Sequence, residues 1–379
     1  MDKQNRVFRV GISGSYGGLN LGDEAILQSI ISQLRNTLPV EITVLSRNAE
    51  DTLQRHDVEH AVPVRKLGRS DIVPVLRNLD LLIVGGGGIL FDAEARIYLR
   101  EAILAQELGV PVMFYAVGVG PLEYSTAREL VRSALNDAAL ITVREEGALH
   151  LLEDIGVQRP ILVTADPALL LEPEPLPSGA LRREGMEGRR RRIAISVREP
   201  GVAAPDLGQH AYHALVASAA DYMVDRLKAE VVFIPMERRH HDLQQSHAVI
   251  AQMLLAQHAS VLKGEYTAGQ LLSLLGHFEF AVGMRLHFLL FAALRNVPFV
   301  ALPYAPKVSG FLDQLGIAMP PPIGQVNAGR LIAHIDEAWD NRRANKQLMA
   351  KRLPEKKAAA RETNRLAAEL LSRLPITQH

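Results

Sequence analysis

The stretch FEFAVGMRLHFLLFAALRNVPFVALPYAPK, residues 278–307, decides the fold of the second half of the chain. Its apolar run over 278–282 predicts a short buried strand of a parallel sheet, which Gly283 ends. The next apolar run, 288–294, predicts a buried helix, and residues 297–302 predict a second strand. Strand, helix and strand in this order are typical of an α/β protein with a parallel sheet.

Two polar residues, Arg285 and His287, lie between the first strand and the helix. Charged side chains are seldom carried into apolar surroundings without a partner. A helix start also supplies N–H groups and the positive end of a dipole. Arg285 and His287, pointing from the turn, therefore predict a site for a small anion, with Lys307 as a second cation. The alternative is that both are ordinary surface or capping groups.

Length and composition predict a globular protein of two domains. The chain has 379 residues, 48% of them hydrophobic and 22% charged. Lys+Arg and Asp+Glu both number 42, so the net charge of zero predicts neither a nucleic-acid binder nor a binder of strongly acidic membranes, local basic patches aside. With no cysteine in the sequence, disulfides, thiolate catalysis and cysteine metal ligands are excluded.

No segment of the sequence predicts a membrane span or a metal site. The N-terminus lacks a signal-peptide core, and no apolar run approaches the roughly 20 residues of a spanning helix. We therefore expect a cytoplasmic protein with at most peripheral contact at the inner face of the membrane. His240, His241 and Asp242 are direct neighbours, which is not the spacing of a metal-binding motif.

Residues 1–171 predict a first α/β domain. Its first strand leads into a glycine-rich turn and a helix with Asp23 as the N-cap. A later strand is predicted to end at Val84, before four glycines, of which Gly86 and Gly87 are candidates for close backbone approach to a ligand. For the glycine-rich turn before the first helix the alternative is a purely structural tight turn, and for Asp23 it is simple capping.

The rest of the chain predicts a second domain of the same kind. Residues 172–191 are rich in proline, glycine and charge and are predicted to be a linker. A second α/β domain follows over 192–343, and a long C-terminal helix over 344–379. Arg144 and Arg198 each end a predicted strand. We expect two Rossmann-like, doubly wound domains facing each other across a cleft, with ligands at the carboxyl ends of the strands.

A series of short motifs runs through almost the whole chain. They are SGSYGGLNLGDEAIL at 13–27, DLLIVGGGGILFD at 80–92, YAVGVGP at 115–121, ITVREEGALHLLEDIGV at 141–157, TADPALLL at 164–171, ISVRE at 195–199 and GMRLH…FAA…VP…YAPKV at 283–308. In this order they resemble the polysaccharide pyruvyl transferase family. The N-terminal half resembles most its bacterial cell-wall branch, which pyruvylates a secondary cell wall polysaccharide.

The resemblance implies a GT-B-like fold, phosphoenolpyruvate as donor and a cyclic pyruvate ketal on a sugar as product. Arg285 matches the arginine of an RLH donor motif, Arg144 that of a VR motif and Lys307 the lysine of PKV. Because a planar guanidinium binds two oxygens at once, the arginines are expected to hold the carboxylate and phosphate of the donor. Arg198 is a third candidate for this role.

Catalysis is expected to depend on two further groups. His287, which matches the histidine of the RLH motif, is predicted to be the general acid that protonates the donor. Asp23 is predicted to orient or deprotonate an acceptor hydroxyl. Phosphoenolpyruvate is a co-substrate in this scheme, which needs no metal or cofactor. The acceptor sugar, its attachment to a lipid and the oligomeric state are left open.

Three positions depart from the family pattern. Gly88 stands where a hydroxyl is expected, Phe91 replaces an amide and Ala305 replaces an acidic residue. Phe91 and Ala305 keep open the alternative of a non-catalytic relative that binds an anionic metabolite. A second alternative, which the two-domain architecture permits, is a GT-B-like glycosyltransferase that uses a nucleotide sugar.

Overall fold

The structure, a computed structural model, describes residues 6–199, 201, 207–237, 241–302 and 306–374. The chain divides into two compact units. The first comprises Met1–Leu171 and Glu355–His379, and the second comprises Glu172–Pro354. The residues predicted as a linker, 172–191, are thus grouped with the second unit, where Glu184 accepts hydrogen bonds from the backbone of Lys263 and Gly264 at 2.7 and 2.8 Å.

The first unit is built on a parallel sheet. Within its described residues the strands are β1 (Phe8–Ser13), β2 (Val40–Ser46), β3 (His60–Pro63), β4 (Leu81–Leu90), β5 (Val112–Val119), β6 (Leu140–Val143) and β7 (Ile161–Val163). The helices are α1 (Leu21–Arg35), α2 (Ala49–Arg55), α3 (Arg69–Arg77), α4 (Ala95–Glu107), α5 (Ser125–Asn136) and α6 (Glu146–Asp154). The strand order is β3-β2-β1-β4-β5-β6-β7, so the winding reverses between β1 and β4.

The second unit repeats this plan with a smaller sheet. Within its described residues the strands are β8 (Arg192–Ser196), β9 (Glu230–Phe233), β10 (Ala259–Val261), β11 (Phe280–Gly283) and β12 (Phe299–Ala301). The helices are α7 (Ala180–Arg183), α8 (Gln209–Leu227), α9 (His241–Ile250), α10 (Ala268–Leu275), α11 (Leu286–Leu294), α12 (Pro306–Leu315) and α13 (Ala328–Asp340). The order β10-β9-β8-β11-β12 reverses between β8 and β11.

The last helix, α14 (Arg342–Arg373), confirms the predicted long C-terminal helix. Its second half belongs to the first unit. There Thr363 Oγ1 donates to Thr164 Oγ1 at 2.8 Å, and Asn364 Nδ2 donates to the carbonyl of Gln33 at 3.1 Å. None of the helices in the described part of the chain combines the length and apolarity needed to cross a bilayer.

The fold class predicted from the sequence, mixed α/β with parallel sheets, is confirmed. In a doubly wound sheet, ligands bind at the carboxyl edge where the winding reverses. That rule selects the ends of β1 and β4 in the first unit, and the ends of β8 and β11 in the second. The predicted functional residues are therefore described at these two edges.

Candidate functional site

In the first unit, the carboxyl end of β1 leads into α1, which carries Asp23. The prediction that Asp23 caps this helix is wrong. Asn20 is the N-cap, because its backbone is extended and its Oδ1 accepts the N–H of Gly22 at 3.0 Å. Asp23 therefore lies in the first turn of the helix, half-buried. A carboxylate at this position is favoured by the helix dipole without being needed as a cap.

The glycines of β4 lie against this helix. The strand was predicted to end at Val84, but it continues to Leu90. It can continue because Gly86 and Gly87 adopt φ angles of +66° and +79°, which other residues rarely adopt. A Cβ added at Gly87 would stand 3.4 Å from Asp23 Oδ1. Three residues predicted from the sequence, Asp23, Gly86 and Gly87, thus lie together at the predicted edge.

Gly86 is expected to tolerate no side chain. A Cβ there would overlap the Cγ2 atom of Ile26, and the positive φ would strain any other residue. We expect Gly86→Ala to lower the free energy of unfolding by about 2 kcal/mol or more, as judged by urea denaturation followed by circular dichroism. Gly147→Ala is the matched control, because a Cβ there meets no atom within 4 Å. An equal effect of both changes would contradict this view of Gly86.

Arg144, predicted to bind the donor, lies in the same cluster with a side chain only 4% exposed. The Nη1 atom of Arg144 donates to Asp166 Oδ2 at 2.8 Å. The guanidinium packs against Gly118, where an added Cβ would lie only 2.8 Å from Nη2. Burial lowers the pKa of Arg144, but the carboxylates of Asp166 and Glu145 outweigh it and leave the pKa raised. The role of Arg144 as a donor ligand stays a prediction.

A buried pair that the sequence did not reveal fixes the glycine-rich loop after β1. Glu24 Oε1 accepts the backbone N–H of Gly17 at 2.9 Å, and its Oε2 lies 2.8 Å from His56 Nε2. Both side chains are 4% exposed. Because a buried carboxylate is costly without partners, this pair holds the loop and the start of α1 in one arrangement.

In the second unit, the predicted anion site lies at the carboxyl edge of the sheet. Helix α11 begins at Leu286, earlier than predicted, so Arg285 is its N-cap and only Arg285 belongs to the turn. His287 is inside the first helical turn, half-buried. Arg198 follows β8, the neighbour of β11, and Lys307 is the second residue of α12, which follows β12. The topology therefore brings all of these predicted residues to one edge.

Arg285 is held by an acidic residue that the sequence analysis did not connect to it. Its Nε and Nη2 donate to Asp242 Oδ2 and Oδ1 at 2.9 and 2.5 Å, and Nη2 also reaches Glu237 at 3.1 Å. The bidentate fork assigned to the donor is thus engaged by Asp242. Two residues discussed in the sequence analysis, His240 and Ala305, lie outside the described residues.

Asp242 is completely buried, and the backbone N–H groups of Met236 and Glu237 donate to its Oδ2 at 3.2 and 3.1 Å. Burial raises the pKa of Asp242, while the positive charge of Arg285 opposes that rise. The carboxylate therefore links the segment after β9 to the start of α11. Asp242 and Arg285 are 43 residues apart, a separation that carries no signal in one sequence.

A buried tyrosine, Tyr212, contacts residues at the ends of both β8 and β11. The hydroxyl of Tyr212 lies 2.9 Å from the sulfur of Met284 and accepts the backbone N–H of Arg198. Burial raises the pKa of Tyr212, so the phenol stays neutral near neutral pH. Tyr212 thus ties the end of β8 to the end of β11, although nothing in its sequence position on α8 indicated this.

The two sheets, each with polar residues at its reversal point, define a GT-B-like fold, which several solved structures share. The Staphylococcus aureus MnaA-UDP co-structure aligns with a TM-score of 0.67 at 13% identity, over 99% of this chain and 100% of that one. A glycosyltransferase from Rickettsia africae gives 0.63 at 11% identity, over 97% and 100%. At such identities the likeness concerns the fold alone.

A sequence comparison identifies the family of the chain, which the fold alone does not. The family described as Polysaccharide pyruvyl transferase matches residues 20–306. This chain belongs to the polysaccharide pyruvyl transferase family, and the protein is accordingly a transferase of polysaccharide biosynthesis. The amylovoran biosynthesis protein AmsJ of Erwinia amylovora is 22% identical over 307 residues, which is 78% of this chain and 73% of that protein. The matched range includes His287 and ends one residue before Lys307.

Proposed function

We propose that this protein transfers the enolpyruvyl group of phosphoenolpyruvate to a sugar of a cell-surface polysaccharide or of its lipid-linked precursor. The product is a pyruvate ketal, phosphate is released, and the reaction takes place in the cytoplasm, at most at the inner face of the membrane. The observation that carries the proposal is the convergence of Arg198, Arg285, His287 and Lys307 on the carboxyl edge of one sheet, at the start of α11.

The donor needs positive charge at two ends, because it carries both a carboxylate and a phosphate. The first N–H groups of α11 and its dipole favour an anion at this edge. The guanidinium of Arg285 is held beside this helix start by Asp242 and Glu237. Lys307 and Arg198 supply further charge from the neighbouring strands. Fixed charges of this kind stabilise a leaving phosphate without reorganising during the reaction.

The chemistry follows from a protonation at the methylene carbon of the donor. In this scheme protonated His287 delivers the proton, which turns the methylene into a methyl group and leaves an oxocarbenium-like carbon. One acceptor hydroxyl adds to that carbon and loses its proton, and the carbon–oxygen bond to phosphate breaks. The second hydroxyl then closes the ketal. Of the two protons that the sugar loses, one replaces the proton given by His287 and one leaves with phosphate.

The first unit is the proposed place for the acceptor. Asp23 is half-buried beside Gly87. Because Gly87 has no side chain, a sugar could approach the backbone closely at this point. A carboxylate in this position can orient a hydroxyl or take its proton. The buried pair of Arg144 and Asp166 next to these glycines fixes the floor of the same cluster.

Binding of phosphoenolpyruvate should raise the melting temperature of the protein. At about 100 times the dissociation constant, a ligand that binds only the folded state adds about 2.7 kcal/mol, which corresponds to a shift of several degrees. We expect Lys307→Met to weaken this shift strongly, because a charge-assisted contact is lost. Lys228→Met is the matched control. It removes the same charge at the amino end of β9, where the side chain is exposed.

Three outcomes of this measurement distinguish the alternatives. A shift with UDP-sugars alone would support a glycosyltransferase, the class of some of the structural neighbours. A shift with phosphoenolpyruvate but no phosphate release with a panel of aryl hexosides would support a non-catalytic relative. Equal shifts in the Lys307 and Lys228 variants would exclude Lys307 from the donor site. Arg285→Ala is less suited to this test, because it would remove the positive charge that compensates the buried carboxylate of Asp242 and so destabilise the protein.

A further inference from the structure

The outer face of α4 borders a basic groove that the proposed chemistry does not use. The groove has a volume of about 640 Å³ and lies between α3, α4 and α5 of the first unit. Among the described residues that line it, Arg65, Arg69, Arg96 and Arg100 face one acidic residue, Glu107. Because the whole chain has no net charge, this is a local concentration of positive charge rather than a general property of the sequence.

The floor of the groove is apolar. Ile72 and Leu104 are buried there, and Ile103 and Leu130 are half-buried. Ile97 projects from the same face of α4 with 44% of its surface exposed. A basic rim around aliphatic side chains is the composition of surfaces that lie in the headgroup region of a bilayer. Long arginine stems can cover the aliphatic part while their guanidinium groups reach phosphate.

Two arginines of the rim are placed to receive an anion. Arg65 donates to the carbonyl of Ile97 at 3.1 Å, and its guanidinium carbon lies 5.0 Å from the ring centre of Tyr98. Burial lowers the pKa of Arg65, so an anion at this point would offset a cost already present. Arg96, which lines the groove, is exposed and takes part in no ion pair among the described residues. Arg69 and Arg100, by contrast, pair with Glu107 and with the buried Glu101, each at 2.6 Å.

We propose that this groove docks the first unit onto an anionic lipid bilayer, with the guanidinium groups on lipid phosphates and Ile97 inserted among the headgroups. Guanidinium groups match phosphate oxygens in geometry and charge, and the apolar floor gives no reason for a free phosphate to bind there. This inference goes beyond the proposed function and stands without it, since docking requires neither donor nor acceptor.

The test is co-sedimentation of the full chain with vesicles of phosphatidylglycerol and phosphatidylcholine, compared with phosphatidylcholine alone. We expect binding only to the anionic vesicles, weakened by salt. Arg96→Glu should lower the partition coefficient about fivefold or more, since each basic residue near such a surface is worth about that factor. Ile97→Ser should lower it by a smaller factor, about threefold.

Matched controls in the same unit make the result decisive. Arg132→Glu reverses a charge of similar exposure on α5, and Leu53→Ser removes an aliphatic side chain that is 48% exposed on α2. Neither should change binding. Equal losses in the control and groove variants, no binding to anionic vesicles, or full displacement by millimolar inorganic diphosphate would each overturn the proposal. Donor-induced thermal shifts should be the same in all four variants, which separates this test from that of the proposed function.

Discussion

Replacing His287 by alanine is expected to lower the rate of phosphate release by about 10²-fold or more, while the affinity for phosphoenolpyruvate changes little. The side chain lies in the first turn of α11, beside the N-cap Arg285, where the helix start favours a bound anion. Loss of the imidazole removes the proton donor but leaves Arg285 and Lys307 in place. The measurement is phosphate release in the presence of aryl hexosides, together with the donor-induced thermal shift.

His287→Gln and His277→Ala serve as controls for this prediction. Glutamine keeps the volume and hydrogen bonding of the side chain but cannot deliver a proton, so it should be as inactive as alanine. His277 is exposed and lies before β11, at the opposite edge of the same sheet, so its replacement should have no effect. Full activity of His287→Gln would show that the residue positions the donor rather than protonating it.

The fold could be predicted from the sequence because its buried strands are short apolar runs separated by amphipathic helices. The apolar runs predicted as a strand and a helix over 278–282 and 288–294 correspond to β11 (Phe280–Gly283) and α11 (Leu286–Leu294). The glycines of β4 were misleading, since glycine usually ends a strand, whereas here Gly86 and Gly87 continue it with positive φ. The cap of α1 was misplaced because Asn20 and Asp23 are both good capping residues.

The candidate site was predictable only in part. Residues that follow a strand could be placed at the carboxyl edge, because the topology of a doubly wound sheet determines where strand ends meet. Their partners could not be predicted. Arg285 with Asp242 and Glu24 with His56 are pairs separated by 43 and 32 residues, and each forms only when the chain is folded. A single sequence contains no information on such pairs.

The pairing of Asp242 with Arg285 leads to the largest expected effect on stability. We expect Asp242→Ala to lower the free energy of unfolding by about 3–5 kcal/mol, because it removes the bidentate acceptor of a mostly buried guanidinium and the shared acceptor of two backbone N–H groups. The only tryptophan of the sequence, Trp339, lies in the same unit and packs edge-on against Phe280 of β11 at 5.6 Å. Its fluorescence during urea denaturation therefore reports on this unit.

Two further variants separate the structural role of the pair from its proposed role in the donor site. Asp225→Ala, which removes an exposed carboxylate of the same unit, should change stability by less than about 0.5 kcal/mol. The double variant Asp242→Leu with Arg285→Met removes both charges, so much of the stability lost in Asp242→Ala should return. The phosphoenolpyruvate-induced shift should nevertheless be lost in this double variant, because Arg285 is missing. If Asp242→Ala cost less than about 1 kcal/mol, the carboxylate would not be the element that fixes Arg285 at the start of α11.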